Sequence, residues 1–211
     1  MSRHPLVRVE GVAAALLEPN INTDVIAPTV RRTGGKQIES VSDGAARLFG
    51  AWRYDESGAE RPDFVLNRPP FRHARFLIAG VNFACGSSRE SAALWLRDFG
   101  IRCVIAQSFG GIFFDNCFRN GILPMQAGAE MIGALAEEAR SGALFRLDLE
   151  EGSVSSAGGR SLPIVLPAFR RQLLMTGGDE IAITLGRDAE ITAYQSEARA
   201  TAPWIWGQKK E

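Results

Sequence analysis

Between Asn82 and Glu90 the chain reads Asn-Phe-Ala-Cys-Gly-Ser-Ser-Arg-Glu, which sets two hydroxyls and one guanidinium beside a glycine turn. An apolar run at 76–79 precedes it and an amphipathic run at 92–99 follows, so strand, turn and helix start come in succession. Ser87 and Glu90 have the Ser-x-x-Glu spacing of a capping box, an independent mark of a helix start. Free backbone N–H groups, the positive end of the helix dipole and Arg89 then meet at one point. Such a point binds carboxylate or phosphate. The stretch reads as an anion site with a potential base inside it. A plainer reading competes on spacing alone: Ser87 as an ordinary N-cap and Arg89 as a solvated first-turn arginine.

The elements that position this stretch follow from pattern. A strand at 76–79, a helix at 88–99 stopped by Gly100 and a strand at 101–106 make one βαβ unit. Its strands are expected to be parallel neighbours with the helix packed across them. Leu94 and Leu96 cannot share one narrow stripe, so both are expected to be at least partly buried. Upstream, 6–17 reads as one or two strands, and Asn22-Thr23-Asp24 as a turn closed by side-chain-to-backbone bonds. Residues 31–43 read as a polar loop, 45–52 as a short helix and 53–70 as an irregular excursion. Downstream come a helix at 110–120, a strand at 122–125 and a helix at 127–140 with Met131, Leu135 and Ala139 on one face. Residues 144–149 and 162–166 read as a hairpin around a turn at 152–159. A helix at 168–175, a strand at 181–185 and a helix at 188–198 complete the chain. The expected fold is one mixed α/β domain over 1–211, with a tail from about 200.

Composition narrows the function. Apolar residues make up 45% of the 211, enough for a core, and 24 basic residues balance 24 acidic ones. No nucleic-acid footprint or affinity for an anionic membrane surface follows from that balance. No apolar run approaches bilayer length, and 11–17 reads as a strand rather than a signal-peptide core. Cys85, Cys103 and Cys117 form no C-x-x-C pair, and their odd number suits a reducing cytoplasm. His4 and His73 lie far apart, and no metal-ligand spacing is visible.

Several blocks, in order, resemble one family. They are Asn22-Thr23-Asp24-Val25-Ile26-Ala27-Pro28; Arg32-Thr33-Gly34; Asp63-Phe64-Val65-Leu66-Asn67; the stretch from Asn82 to Glu90; Ile105-Ala106-Gln107-Ser108-Phe109 with Ile112-Phe113, Asn116, Asn120 and Leu123-Pro124; and Ala168-Phe169-Arg170-Arg171. Together they resemble the small subunits of 3-isopropylmalate dehydratase, equivalent to the swivelling last domain of aconitase. The resemblance implies a swivel fold and a partner, an iron–sulfur large subunit, in a heterodimer or heterotetramer. A [4Fe–4S] cluster belongs to that partner and no cofactor to this chain, whose three cysteines lack cluster spacing. The implied reaction takes water from 2-isopropylmalate and re-adds it to give 3-isopropylmalate, in leucine biosynthesis.

The same resemblance assigns roles. Ser87 is the implied base, its alkoxide stabilised by the helix start and Arg89. Ser88 and Arg89 would hold one substrate carboxylate, and a guanidinium fork suits that contact better than a lysine. Arg32 is the candidate clamp for the other carboxylate, against the reading of a solvated loop arginine. Asp24 and Thr33 are supporting residues, with a structural role for Asp24 placed first. Asn116 and Asn120 read as helix-end and loop-fixing residues, His73 as a surface or packed histidine, and Trp204 and Trp206 as exposed aromatics. Ala84 stands where the family has glycine, Ser91 where it has histidine, and the early loop differs in length. These departures touch substrate choice. A hydro-lyase for another small hydroxy-diacid and a non-catalytic lid domain are the alternatives.

Overall fold

The structure is a computed structural model describing residues 5–28, 32–33, 36–37, 44–86, 90–177 and 180–206, with backbone alone at 32, 33, 36, 37, 180 and 182. It divides into two compact units, Met1–Gly177 and Gly178–Glu211. In the first, the order is β1 (Arg8–Leu16), α1 (Thr23–Ile26), β2 (Arg32–Thr33), β3 (Lys36–Gln37), α2 (Gly44–Arg47) and α3 (Gly50–Arg53). Then come β4 (Phe76–Ala79), α4 (Glu90–Phe99), β5 (Cys103–Ala106), α5 (Gly111–Arg119), β6 (Leu123–Gln126) and α6 (Ala129–Arg140). The last are β7 (Leu144–Asp148), β8 (Ser153–Ser156), β9 (Ser161–Pro163) and α7 (Ala168–Thr176).

A seven-stranded sheet in the order β6-β5-β4-β1-β7-β8-β9 forms the body. β1, β4, β5 and β6 run parallel, with Phe76 opposite both Ala13 and Cys103; β7, β8 and β9 continue antiparallel. Every residue of β4 and β5 is buried, as expected of parallel strands covered on both faces. Leu77, Ala79, Val104 and Ala106 share a core with Ala92, Ala93 and Leu96 of α4 and Phe113 and Cys117 of α5. Phe76, on the alternate face, meets Phe145 of β7 at 5.7 Å between ring centroids. Helix α6 packs on β1 and β4. The parallel β4–α4–β5 unit is as expected; Leu96 is buried and Leu94 half-buried. Gly100 ends α4 in the left-handed region at φ 119°, where a Cβ is disfavoured.

Other elements differ from the sequence reading. Residues 32–33 and 36–37, read as loop, pair as the antiparallel β2–β3 ladder. Residues 45–52 split into α2 and α3. The buried face of α6 is Ile132, Leu135, Ala136 and Ala139, with Met131 only half-buried. The stretch 152–159 is not one turn, because 153–156 pairs with β7 and β9. Its serines hide the strand: Val154 and Ser156 alternate inward, and tight turns at Gly152 and Gly159 flank it. Asn22-Thr23-Asp24 opens a helical turn, α1, with Asn22 Oδ1 accepting from Val25 N at 2.9 Å.

The excursion before β4 is pinned by a buried pair. Arg53 Nε donates to Asn67 Oδ1 (3.1 Å), and Asn67 Nδ2 donates to the carbonyls of Arg53 (2.7 Å) and Arg61 (2.9 Å). The Arg53 guanidinium lies over the Phe99 ring at 5.2 Å, so the excursion grips the end of α4. In the second unit, 181–185 was expected as a strand but belongs to α8 (Glu180–Leu185), followed by α9 (Asp188–Thr201) and a 3₁₀ turn at Pro203–Trp206. An apolar run this short fits either state. With no strand to pair with among the described residues of this unit, its backbone groups close on themselves as helix. Trp204 is exposed, as expected, and Arg199 lies over the Trp206 ring.

Where β1 meets β7, Asp148 accepts the backbone N–H groups of Glu150 and Glu151, each at 2.9 Å. Its other oxygen faces Arg8 (2.8 Å) and Arg146 (3.3 Å). The Glu151 N–H foremost, then the arginines, holds the Asp148 carboxyl below its ordinary value of 3.8. A depressed carboxyl adds stability that is full above its unfolded pKa and fades as pH falls through the lower folded one. Asp148→Asn should therefore be less stable at neutral pH and should flatten the loss of stability below pH ~4. Denaturant melts from pH 2 to 7 check this; unchanged pH dependence would remove Asp148 from the acid limb.

Candidate functional site

The site is built from the loops that leave the carboxyl ends of β1, β4 and β5, the edge of an open parallel sheet where ligands bind. The β4 loop runs between the other two. On one side Asn20 N donates to Val81 O (3.0 Å), Ala84 N to Ile21 O (2.6 Å) and Thr23 N to Cys85 O (3.1 Å). On the other, Phe83 N donates to Ser108 O and Gly110 N to Phe83 O, both at 2.9 Å. Side chains add to the weave: Ser108 Oγ accepts from Asn82 N (2.8 Å), and Asn20 Oδ1 accepts from Asn82 Nδ2 (2.8 Å). Beneath it the Phe83 ring sits edge-on to Phe113 at 5.6 Å.

Close approach depends on missing side chains. A Cβ on Gly80 would collide with the Leu17 carbonyl, and one on Gly110 with the Ala84 carbonyl. Asn20, Asn82, Ala84 and Gly86 all take positive φ, at 58°, 56°, 57° and 97°. Asparagine tolerates that region; alanine does so at a cost of roughly 1–2 kcal/mol. The Ala84 methyl is fully buried, which offsets part of that cost by about 0.8 kcal/mol. The backbone thus keeps at Ala84 a conformation that suits glycine.

Ser87, Ser88 and Arg89 lie outside the described residues; Gly86 and Glu90 on either side are described. The side chains of Arg32 and Thr33 also lie outside them, and only their backbone pairing with Gln37 and Lys36 is described. Asp24 is exposed in the first turn of α1, one residue after the Thr23 N–H that holds Cys85. The structure therefore joins the Asp24 loop to the loop that leads into Ser87. Asn20, Asn82 and Ser108 were missed as scaffold residues; the asparagines carried the only signal, tolerance of a left-handed backbone. Asn120 closes α5, as expected of a helix-end residue, and its Nδ2 also donates to Glu90 Oε1 (3.2 Å). His73 is exposed.

Among the described residues, neither the cysteines nor the cavity beside β1 suits a cluster or a dianion. Cys103 and Cys117 are fully buried, and burial pushes both thiols up, away from the thiolate that iron ligation needs. Cys85 Sγ lies 3.6 Å from the Asn20 carbonyl, within the turn. Among the described residues no three His, Cys, Asp or Glu are grouped to hold a metal ion. A cavity of about 440 Å³ beside the end of β1 is lined by Leu16, Glu18, Trp52, Arg61, Asp63 and Phe64. Two carboxylates against one guanidinium disfavour a dianion there.

Residues 4–130 match the aconitase C-terminal domain family. The 3-isopropylmalate dehydratase small subunit of Rhodospirillum centenum is 46% identical over 204 residues, 93% of this chain and 96% of that one. The chain belongs to the 3-isopropylmalate dehydratase small-subunit family. A member from Cereibacter sphaeroides is 44% identical over 94% of this chain and 98% of its own, and one from Rhizobium etli 44% identical over 94% and 97%. The fold is shared with a crystal structure of 3-isopropylmalate dehydratase from Methanocaldococcus jannaschii, at a TM-score of 0.60 and 24% identity, covering 90% of this chain and 99% of that one. Among the described residues no helix is long and apolar enough to cross a membrane.

In this small subunit, Gly110 and its neighbour Gly111 should separate scaffold from bystander. A Cβ on Gly110 must displace the Ala84–Cys85 backbone, whereas one on Gly111 meets nothing within 4 Å. Gly110→Ala should cost about 1–3 kcal/mol by overpacking. Gly111→Ala should be neutral or gain up to about 1 kcal/mol of helix propensity. Thermal melts of the two variants decide it; equal Tm values would mean that the loop yields freely.

Proposed function

We propose that this chain is the small subunit of a 3-isopropylmalate dehydratase, active with an iron–sulfur large subunit in a heterodimer or heterotetramer. The whole chain, 1–211, acts as one swivelling domain that closes over the partner's site. There 2-isopropylmalate loses water and regains it as 3-isopropylmalate, a step of leucine biosynthesis that places the enzyme in the cytoplasm. The [4Fe–4S] cluster belongs to the large subunit, as the resemblance to the family implies, and the buried thiols of Cys103 and Cys117 suit that placement. The observation that carries the reading is 46% identity to a named small subunit over 93% of the chain. The site loop's scaffold, held between the β1 and β5 loops, supports it.

In this reading Ser87 takes the proton from the carbon beside a substrate carboxylate. A serine hydroxyl does so only where its alkoxide is stabilised, and a helix N-terminus with an adjacent guanidinium is such a place. Ser88 donates to the same carboxylate that Arg89 holds through its planar fork. Arg32, with Thr33 beside it, closes on the second carboxylate, and Asp24 supports the loop that carries them. Two charged carboxylates need such partners once water is excluded.

Ser87→Ala, assembled with the large subunit, should lower kcat by orders of magnitude with KM little changed, because the group acts in the transition state. Its cap is worth only about 1 kcal/mol, so the fold should survive. Near-normal kcat would move the base to the partner and leave this chain a lid. Arg89→Lys should damage kcat/KM more than Arg32→Lys does, since the fork is lost at the helix start. A panel of malates with different alkyl groups, read as kcat/KM on the assembled enzyme, tests the substrate. If isopropylmalate is not preferred, the chain serves another hydroxy-diacid. Turnover by this polypeptide alone would reject the two-subunit reading.

A further inference from the structure

We propose that Asn120 is a positioning residue for the reaction, acting through Glu90 on the start of α4. The proposal rests on the reading of residues 87–89 as the base and carboxylate-binding triplet. Asn120 is 3% exposed and closes α5, its backbone N–H donating to the carbonyls of Asn116 (3.1 Å) and Cys117 (3.0 Å). Its side-chain nitrogen donates to the Asn116 carbonyl at 3.0 Å and to Glu90 Oε1 at 3.2 Å. A carboxamide has two N–H donors, so both are spent. Flipping the group would set its oxygen against two acceptors. The orientation is therefore fixed from both sides.

Glu90 follows Arg89 directly and stands three residues after Ser87. The core between α4 and α5 contains Ala93, Leu96, Phe113 and Cys117. Apolar packing resists separation of two helices but discriminates weakly between small slides and rotations. A directional bond from a fixed buried amide to the first turn of α4 selects one of those arrangements. The selection matters because a misplacement of about 1 Å near reacting atoms costs on the order of a hundredfold in rate. Glu90 also complements the helix dipole. Glutamine separates the two roles: it keeps an acceptor for Asn120 and removes the charge.

The test compares Asn120→Ala, Glu90→Ala, their double variant and Glu90→Gln, each assembled with the large subunit and normalised to assembled complex. Asn120→Ala and Glu90→Ala should each lower kcat at least about tenfold with KM moved less than about threefold. The double variant should be no worse than the more damaged single one, because all three lack the same contact. Glu90→Gln should restore kcat to within about threefold of wild type, whereas a role through the helix dipole alone would leave it as impaired as alanine. Amide exchange at 90–93 in the full chain should quicken in both alanine variants and not in Glu90→Gln. Multiplicative losses in the double variant, glutamine as damaging as alanine, or unchanged kcat in Glu90→Ala would overturn the proposal. Glu90 is exposed, so its two variants decide the matter even if Asn120→Ala fails to fold. A wild-type complex that turns over no alkylmalate would sink the dehydratase reading instead, and amide exchange would then decide the positioning claim.

Discussion

The approach of the β4 loop to its two neighbours depends on backbone meeting backbone. Hydrogen bonds from Asn20, Thr23, Phe83, Ala84 and Gly110 run across three loops that are distant in sequence. Such bonds form only where no Cβ intervenes, which is why Gly80 and Gly110 lie where added carbons would strike the Leu17 and Ala84 carbonyls. The left-handed turns at Asn20, Asn82 and Ala84 follow from the same closeness, because the chain must reverse within a few residues to keep both neighbours in reach. Buried N–H and C=O groups must be paired, so the weave is also how this sheet edge hides its polar backbone.

The weave limits where chemistry can occur. The N–H groups of Asn82, Phe83 and Ala84 are committed to Ser108 and Ile21, so none of the three is left to receive an anion. In the proposed function, the donors for one carboxylate come from beyond Gly86, where the serines, Arg89 and the helix start follow in sequence. The scaffold side chains at this edge, Asn20, Asn82, Ser108 and Thr23, are uncharged. Asp24 is a carboxylate that the Thr23–Cys85 bond brings near the loop. An uncharged scaffold does not compete with a dianion, which in the proposed function leaves charge recognition to Arg89 and Arg32.

Local patterns made much of this legible. The β4–α4–β5 unit could be read because apolar runs at 76–79 and 101–106 flank an amphipathic run at 92–99 that stops at Gly100, and each signal is contained in its own segment. Strand β8 could not, because Ser-Val-Ser-Ser carries turn chemistry and becomes a strand only through pairing with β7 and β9. Residues 181–185 misled in the opposite direction: a β-branched run looks like a strand until no partner is found for it. At the site, Ser87 and Arg89 stood out through capping spacing and charge. The residues that hold their loop did not, since no short-range pattern links Asn20 with Asn82 or Asn82 with Ser108.

Polar groups buried away from the site show what the remaining architecture costs. Arg53 is buried with its guanidinium on the Asn67 oxygen and over the Phe99 ring, a cation stabilised by dipoles and an aromatic face. Taking a cation out of water is expensive unless its donors are met, so the Ala45 carbonyl, which accepts from Arg53, becomes a fixed point of the excursion, as do the carbonyls of Arg53 and Arg61, which accept from Asn67. Through Phe99 that excursion holds the carboxyl end of α4, while Asn120 holds its amino end through Glu90. Helix α4 is thus anchored by a polar contact at each end and by apolar packing between. Sliding it along its axis would break the Asn120–Glu90 hydrogen bond at one end and move Phe99 off the Arg53 guanidinium at the other, so both ends hold the first turn in the place from which, in the proposed function, the preceding triplet acts.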